Sequence, residues 1–124
     1  MKLTDDEYWE LSFTEDYEML WMAGAALRYR TPSSSDEELK QRGHRAIMSL
    51  FDKGLIALYR CSDWGNGVFE IVSTDKAKES LAESANWQAP AKDDADFFCY
   101  ASTDEGWKAY EKNGHERNSM RKKT

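Results

Sequence analysis

The sequence predicts an α+β domain with the element order α-α-α-β-β-α-β-α, and three observations carry that expectation. First, Leu39, Gly43, Ala46, Ile47, Leu50 and Phe51 recur at helical spacing, and Gly54 suits the left-handed position that ends the helix before the apolar run Leu55 to Cys61. Second, Ser62-Asp63-Trp64-Gly65-Asn66-Gly67 is a turn between that run and Val68-Phe69-Glu70-Ile71-Val72, so the two runs read as a β-hairpin. Third, Phe97 to Ala101 is a further strand, followed by Thr103 at the cap of a last helix.

Each element has a local reason. Thr4-Asp5-Asp6-Glu7 is a capping box, and a short helix follows through Tyr8, Trp9 and Leu11. Phe13-Thr14-Glu15-Asp16 breaks it. A second helix is expected over about 15–29, with Tyr17, Leu20, Trp21, Gly24 and Leu27 on one face. Gly24 fits there where another backbone approaches closely. Thr31-Pro32-Ser33-Ser34-Ser35 is a linker whose serines can cap the third helix. Asp36, Glu37 and Glu38 then occupy its first turn, where acids suit the dipole. After the hairpin, Ser73 or Thr74 caps a helix with Ala77, Leu81 and Ala82 inward. Trp87 lies near its end, and Pro90 forbids continuation. An acidic loop runs from Ala91 to Asp96. The last helix is expected to end near Asn113-Gly114, which leaves 1–114 as a single domain and 115–124 as a flexible basic tail.

The bulk numbers narrow the class. A chain of 124 residues with 40% hydrophobic and 13% aromatic residues supports one domain with one core. No apolar run approaches the roughly 20 residues that span a bilayer. The acidic N-terminus lacks a signal-peptide core, so the expected location is cytoplasmic, without a membrane partner. In a reducing compartment Cys61 and Cys99 are expected as packed thiols, a disulfide being the alternative. The formal charge of −6 is unevenly spread: residues 1–27 carry −6, 28–60 carry +3, 61–106 carry −7 and 107–124 carry +4.

Two stretches resemble winged helix-turn-helix proteins of the MarR-like and PadR-like kind. Leu50-Phe51-Asp52-Lys53-Gly54-Leu55-Ile56 is similar to the end of a recognition helix entering the first wing strand. Tyr100-Ala101-Ser102-Thr103-Asp104-Glu105-Gly106-Trp107 is similar to the strand-to-helix junction after the wing, with its Thr-x-x-Gly step. The resemblance covers roughly residues 14–113 and implies a winged-helix-like fold. The chain departs from those families in two ways. Residues 73–101 insert a helix, a loop and a strand after the wing hairpin. The helix over about 35–53 also begins with three acids, which would meet phosphates if it entered a major groove.

Two sets of residues are candidates for binding. The acidic and aromatic set is Asp63, Trp64, Glu70, Trp87, Asp93, Asp94, Asp96, Asp104 and Glu105. Carboxylates beside tryptophans imitate a phosphate strand flanked by bases and suit a basic protein partner. The bland reading of each acid alone is solubility. The basic set is Lys40, Arg42, Arg45 and Arg60, which would contact phosphates or guanine edges if the third helix enters a groove. Its bland reading is a solvated helix face. Asp93-Asp94-Ala95-Asp96 lacks the glycine and spacing of a calcium loop, and His44 and His115 lack zinc-ligand spacing. No nucleophile sits on a glycine elbow, and no glycine loop cradles phosphate. The expectation is a binding protein without catalysis, metal or cofactor, in concrete form an acidic immunity protein that neutralises a basic nuclease toxin. The alternative is a winged-helix transcriptional regulator.

Overall fold

A reciprocal cap opens the chain's first helix, α1 (Asp5–Ser12). The Thr4 N–H donates to Glu7 Oε1 at 3.0 Å, and the Glu7 N–H donates to Thr4 Oγ1 at 3.2 Å, as the capping box requires. The computed structural model describes residues 2–12, 14, 17–28, 31–62, 68–89 and 96–122, with backbone alone at 62 and 117–122.

The stretch expected as one helix over 15–29 is broken into three pieces. They are strand β1 (Glu18–Met19), a 3-10 turn over Leu20–Met22, and α2 (Ala25–Arg28). The helical spacing of Tyr17, Leu20, Trp21, Gly24 and Leu27 is real, but tertiary pairing overrides it. Glu18 and Met19 pair with a distant strand, and Gly24 has φ 92°, which no continuing helix permits. A buried carboxylate holds the break, because the Gly24 N–H donates to Glu10 Oε1 at 2.8 Å.

Helix α3 (Asp36–Asp52) starts at Ser35, whose hydroxyl accepts from the Glu38 N–H at 3.2 Å. It ends in a Schellman pair. The Leu55 N–H donates to Leu50 O at 2.9 Å and the Gly54 N–H to Phe51 O at 3.0 Å, with Gly54 at φ 74°. The anticipated close approach at Gly24 is against this helix. A Cβ on Gly43 would stand 2.1 Å from Gly24 N, and one on Gly24 would stand 2.2 Å from Leu39 O.

Strand β2 (Ile56–Ser62) and strand β3 (Val68–Ile71) pair antiparallel as expected, and the predicted turn at 63–67 lies outside the described residues. Helix α4 (Thr74–Ala82), a 3-10 turn over Ser84–Trp87, strand β4 (Phe97–Ser102) and helix α5 (Asp104–Lys122) complete the α+β chain. The sheet order is β1-β4-β2-β3, all antiparallel, so β4 returns to lie between the strand before α2 and the strand after α3. Helix α5 continues past Asn113-Gly114, where the sequence predicts its end. Asn113 is buried and in use: its Nδ2 donates to Ala109 O at 2.7 Å and its Oδ1 accepts from the Leu3 N–H at 3.0 Å. The stop signal therefore serves as a tie to the N-terminus.

The two faces of the sheet differ. Ile56, Leu58 and Tyr100 face the main core, which holds Tyr8, Leu11, Leu20, Ile47, Leu50 and Leu81 from the helices and the 3-10 turn. Cys61, Phe97 and Cys99 face the other side, against Met19, Trp21 and Phe69.

Candidate functional site

Two of the four basic candidates are occupied within the fold. Arg42 grips Asp6 through Nε to Oδ2 at 3.0 Å and Nη2 to Oδ1 at 2.6 Å, and its Nη1 donates to Thr31 Oγ1 at 3.0 Å. Arg60, on the inner strand β2, is exposed and pairs at the surface with Asp96, the residue before β4. Lys40 and Arg45 remain exposed on α3, where with Gln41 and His44 they line a shallow hollow of about 400 Å³. The His44 ring stacks on Trp87 at 3.8 Å and 13°, and burial lowers its pKa from 6.5. A neutral, stacked imidazole adds no charge to that hollow.

The acidic candidates are not one patch. Asp63, Trp64, Asp93 and Asp94 lie outside the described residues. Glu70 and Asp96 lie near the sheet end where Cys61 pairs with Phe97, whereas Asp104 and Glu105 follow Ser102, which pairs with Ile56 at the other end. Five residues of strand separate the two groups, roughly 17 Å at the usual rise. Trp87 is half-buried, packs on the main core, and donates from Nε1 to Leu81 O at 2.9 Å. It is held by the fold and is not presented as a loose anchor.

What the sequence reading missed is the side of the sheet opposite the helices. Tyr17 stacks on Phe69 with ring centroids 4.0 Å apart and meets Tyr59 edge-on at 4.9 Å. Beside them Ile71 is 69% exposed, and Val68 is 43% exposed on the opposite face. Strand β3 therefore leaves apolar side chains exposed on both of its faces. The signal was present in the hairpin, because Phe69 and Ile71 share one parity with Tyr59 and Cys61 while Val68 and Val72 put apolar residues on the other parity, on either side of Glu70. A strand apolar on both parities cannot bury both against one layer of helices.

Two buried acids on α1 behave oppositely. Burial pushes the Glu10 carboxyl from 4.5 up to about 7, against hydrogen bonds from the Gly24 N–H and the Tyr100 hydroxyl. Burial also raises Glu7, but hydrogen bonds from Lys53, the Thr4 N–H and Ser49 outweigh it and hold its pKa below 4.5. Glu10 and Tyr100 are both about 1% exposed, so this pair is sealed from any substrate. Among the described residues no three His, Cys, Asp or Glu side chains are grouped to hold a metal ion. Nor, among them, is any helix long and apolar enough to cross a membrane. No protein-family model matches this chain, and no curated protein or solved structure matches it either.

Proposed function

We propose that this is a non-catalytic binding protein whose partner is a protein with a basic surface. The observation that carries the reading is that Arg42 is clamped to Asp6 and Arg60 is paired at the surface with Asp96, which leaves two of the four basic candidates unpaired among the described residues while Glu70, Asp104, Glu105 and apolar side chains of β3 stay exposed. Binding to a phosphate backbone requires several free cations on one face. Here Lys40 and Arg45 share α3 with the exposed acids Asp36, Glu37, Glu38 and Asp52. In concrete form the protein is an immunity protein that occludes a basic nuclease toxin. The acids speed encounter, and apolar burial slows release.

The scaffold supports a winged-helix-like reading with one change. Strand β4, which leads into the Thr103-x-x-Gly106 junction, pairs directly with β2 and so takes the place of the second wing strand. The segment between them then becomes an enlarged wing. The junction has a physical basis, because Thr103 Oγ1 donates to Gly54 O at 2.8 Å and accepts from the Gly106 N–H at 3.1 Å. A Cβ on Gly106 would stand 2.1 Å from Leu55 O. A second reading, as a DNA-binding regulator, is favoured by one observation: Lys40, Gln41 and Arg45 stand exposed together on α3.

The test is capture from a lysate of the native host at moderate salt, followed by identification of what stays bound. A single basic protein, whose association slows as salt rises, is the expected result. Retardation of a duplex oligonucleotide with sequence preference would overturn the reading in favour of the regulator.

A further inference from the structure

The hydrogen-bonding phase of the hairpin decides which backbone groups of β3 point outward. The Val72 N–H donates to Leu58 O at 2.9 Å, and the register pairs Tyr59 with Ile71 and Cys61 with Phe69. Bonded and non-bonded pairs alternate along an antiparallel ladder. Leu58 with Val72 is a bonded pair, so Arg60 with Glu70 is bonded as well, and Tyr59 with Ile71 and Cys61 with Phe69 are not. The other side of β2 has the matching phase, since the Thr103 N–H donates to Leu55 O at 3.0 Å and odd-numbered β2 residues bond to β4. The N–H and C=O groups of Phe69 and Ile71 therefore point away from the sheet. Among the described residues no strand pairs with that edge.

The edge carries neither Lys nor Pro; its guards against pairing with like strands are its shortness and one carboxylate. Glu70 is exposed at its centre. It makes no ion pair among the described residues, because Arg60 opposite it is taken by Asp96.

We infer that the outer edge of β3 is the docking site for an extended strand of the partner protein, with a Lys or Arg facing Glu70 and apolar side chains on either side of it. The inference rests on the protein-binding reading above and specifies where and how the partner lies. An added strand makes bonded pairs with Phe69 and Ile71. Glu70 then falls at a non-bonded pair, where Cα atoms approach to about 4.5 Å and side chains are closest. A cation is favoured there and a carboxylate is not. The flanking residues of the incoming strand fall on the side of Phe69 and Ile71 and extend the apolar surface beside Tyr17. A second copy of this chain, paired about a two-fold axis at Glu70, would oppose two carboxylates.

The test uses a short capped peptide, Thr-Val-Lys-Val-Arg-Val-Thr, and a control with Glu replacing Lys and Arg. The readouts are affinity and amide hydrogen exchange of the full chain. The basic peptide should slow exchange at Phe69 and Ile71 and leave the already bonded Val72 amide unchanged. Glu70→Lys should weaken the basic peptide by about fivefold, the scale of one cross-strand charge pair, and favour the acidic one. Ile71→Pro removes an outward N–H without touching the ladder to β2, and should abolish binding while Ile71→Thr retains most of it. Equal binding of both peptides overturns the inference, as does absence of protection at millimolar peptide. So does protection of Phe69 and Ile71 without peptide, accompanied by dimerisation in sedimentation. If a basic partner is captured while the edge stays unprotected, the site is wrong and the binding reading survives; sequence-specific retardation of a duplex removes the reading itself.

Discussion

Arg42 and Asp6 are joined by two parallel hydrogen bonds across the contact of α3 with α1, at 3.0 and 2.6 Å. The hydrogen bonds to the aspartate raise the guanidinium pKa further. This pair turns a residue with the look of a DNA contact into a clamp between helices. Arg42→Ala should cost about 1–2 kcal/mol, the scale of a half-buried bidentate pair. Arg45→Ala, on the exposed face, should stay within about 0.5 kcal/mol. Urea denaturation of both variants checks the contrast, and equal effects would contradict it.

Glu10 sets a pH dependence of unusual sign. Its folded pKa of about 7 lies above the ordinary 4.5, so between those values the folded state holds a proton that the unfolded state has released. Stability therefore falls as pH rises through that window, by at most about 1.4 kcal/mol per unit. Burial shifts Glu18 in the same direction, and the Asp6 and Glu18 charges add to the rise at Glu10. Glu7 works oppositely: its lowered pKa stabilises above 4.5, and that contribution is lost as pH falls through its folded value. Glu10→Gln should flatten thermal melts between pH 4.5 and 7 and raise stability at pH 8 by up to about 3 kcal/mol. An unchanged pH profile in that variant would count against the assignment.

Gly43 and Gly54 make a matched comparison. Gly43→Ala drives a methyl to 2.1 Å from the Gly24 backbone and should cost about 3 kcal/mol or more. Gly54→Ala meets nothing within 4 Å and pays only for its φ of 74°, about 1 kcal/mol. Chemical denaturation of the two variants gives the order directly.

Cys61 and Cys99 interact across β2 and β4 as free thiols, and burial pushes Cys99 up to about 12. The sequence left open whether they meet. Neither should react with a thiol reagent in the folded protein near neutral pH, and both should react in denaturant. Rapid labelling of either thiol in the folded chain would contradict the packing.

Local chemistry was legible where the determinants are local. The Thr4/Glu7 box, a serine cap on the third helix, the Gly54 stop, the pairing of the two hairpin strands and the Thr103 cap all depend on residues close to one another in the chain. The misreadings share a different cause. Glu18 and Met19 become a strand because Tyr100 and Cys99 lie beside them, more than 70 positions away in the chain. Asn113 stays within α5, its side chain bonded to the Leu3 N–H 110 positions away. Charges suffered most, since whether Arg42 or Arg60 is free depends on Asp6 and Asp96, and no periodicity reveals such pairs. That no described strand covers the outer edge of β3 was hidden because the sequence does not show that β4 would take the inner side of β2.

The most direct measurement is the association rate of the captured partner with two charge-reversed forms of the protein, taken at low and high salt. The account predicts that Glu70→Lys slows association and weakens its salt dependence, while Lys40→Glu combined with Arg45→Glu leaves the rate unchanged or faster. Association lost in the α3 variant and intact in Glu70→Lys would contradict it.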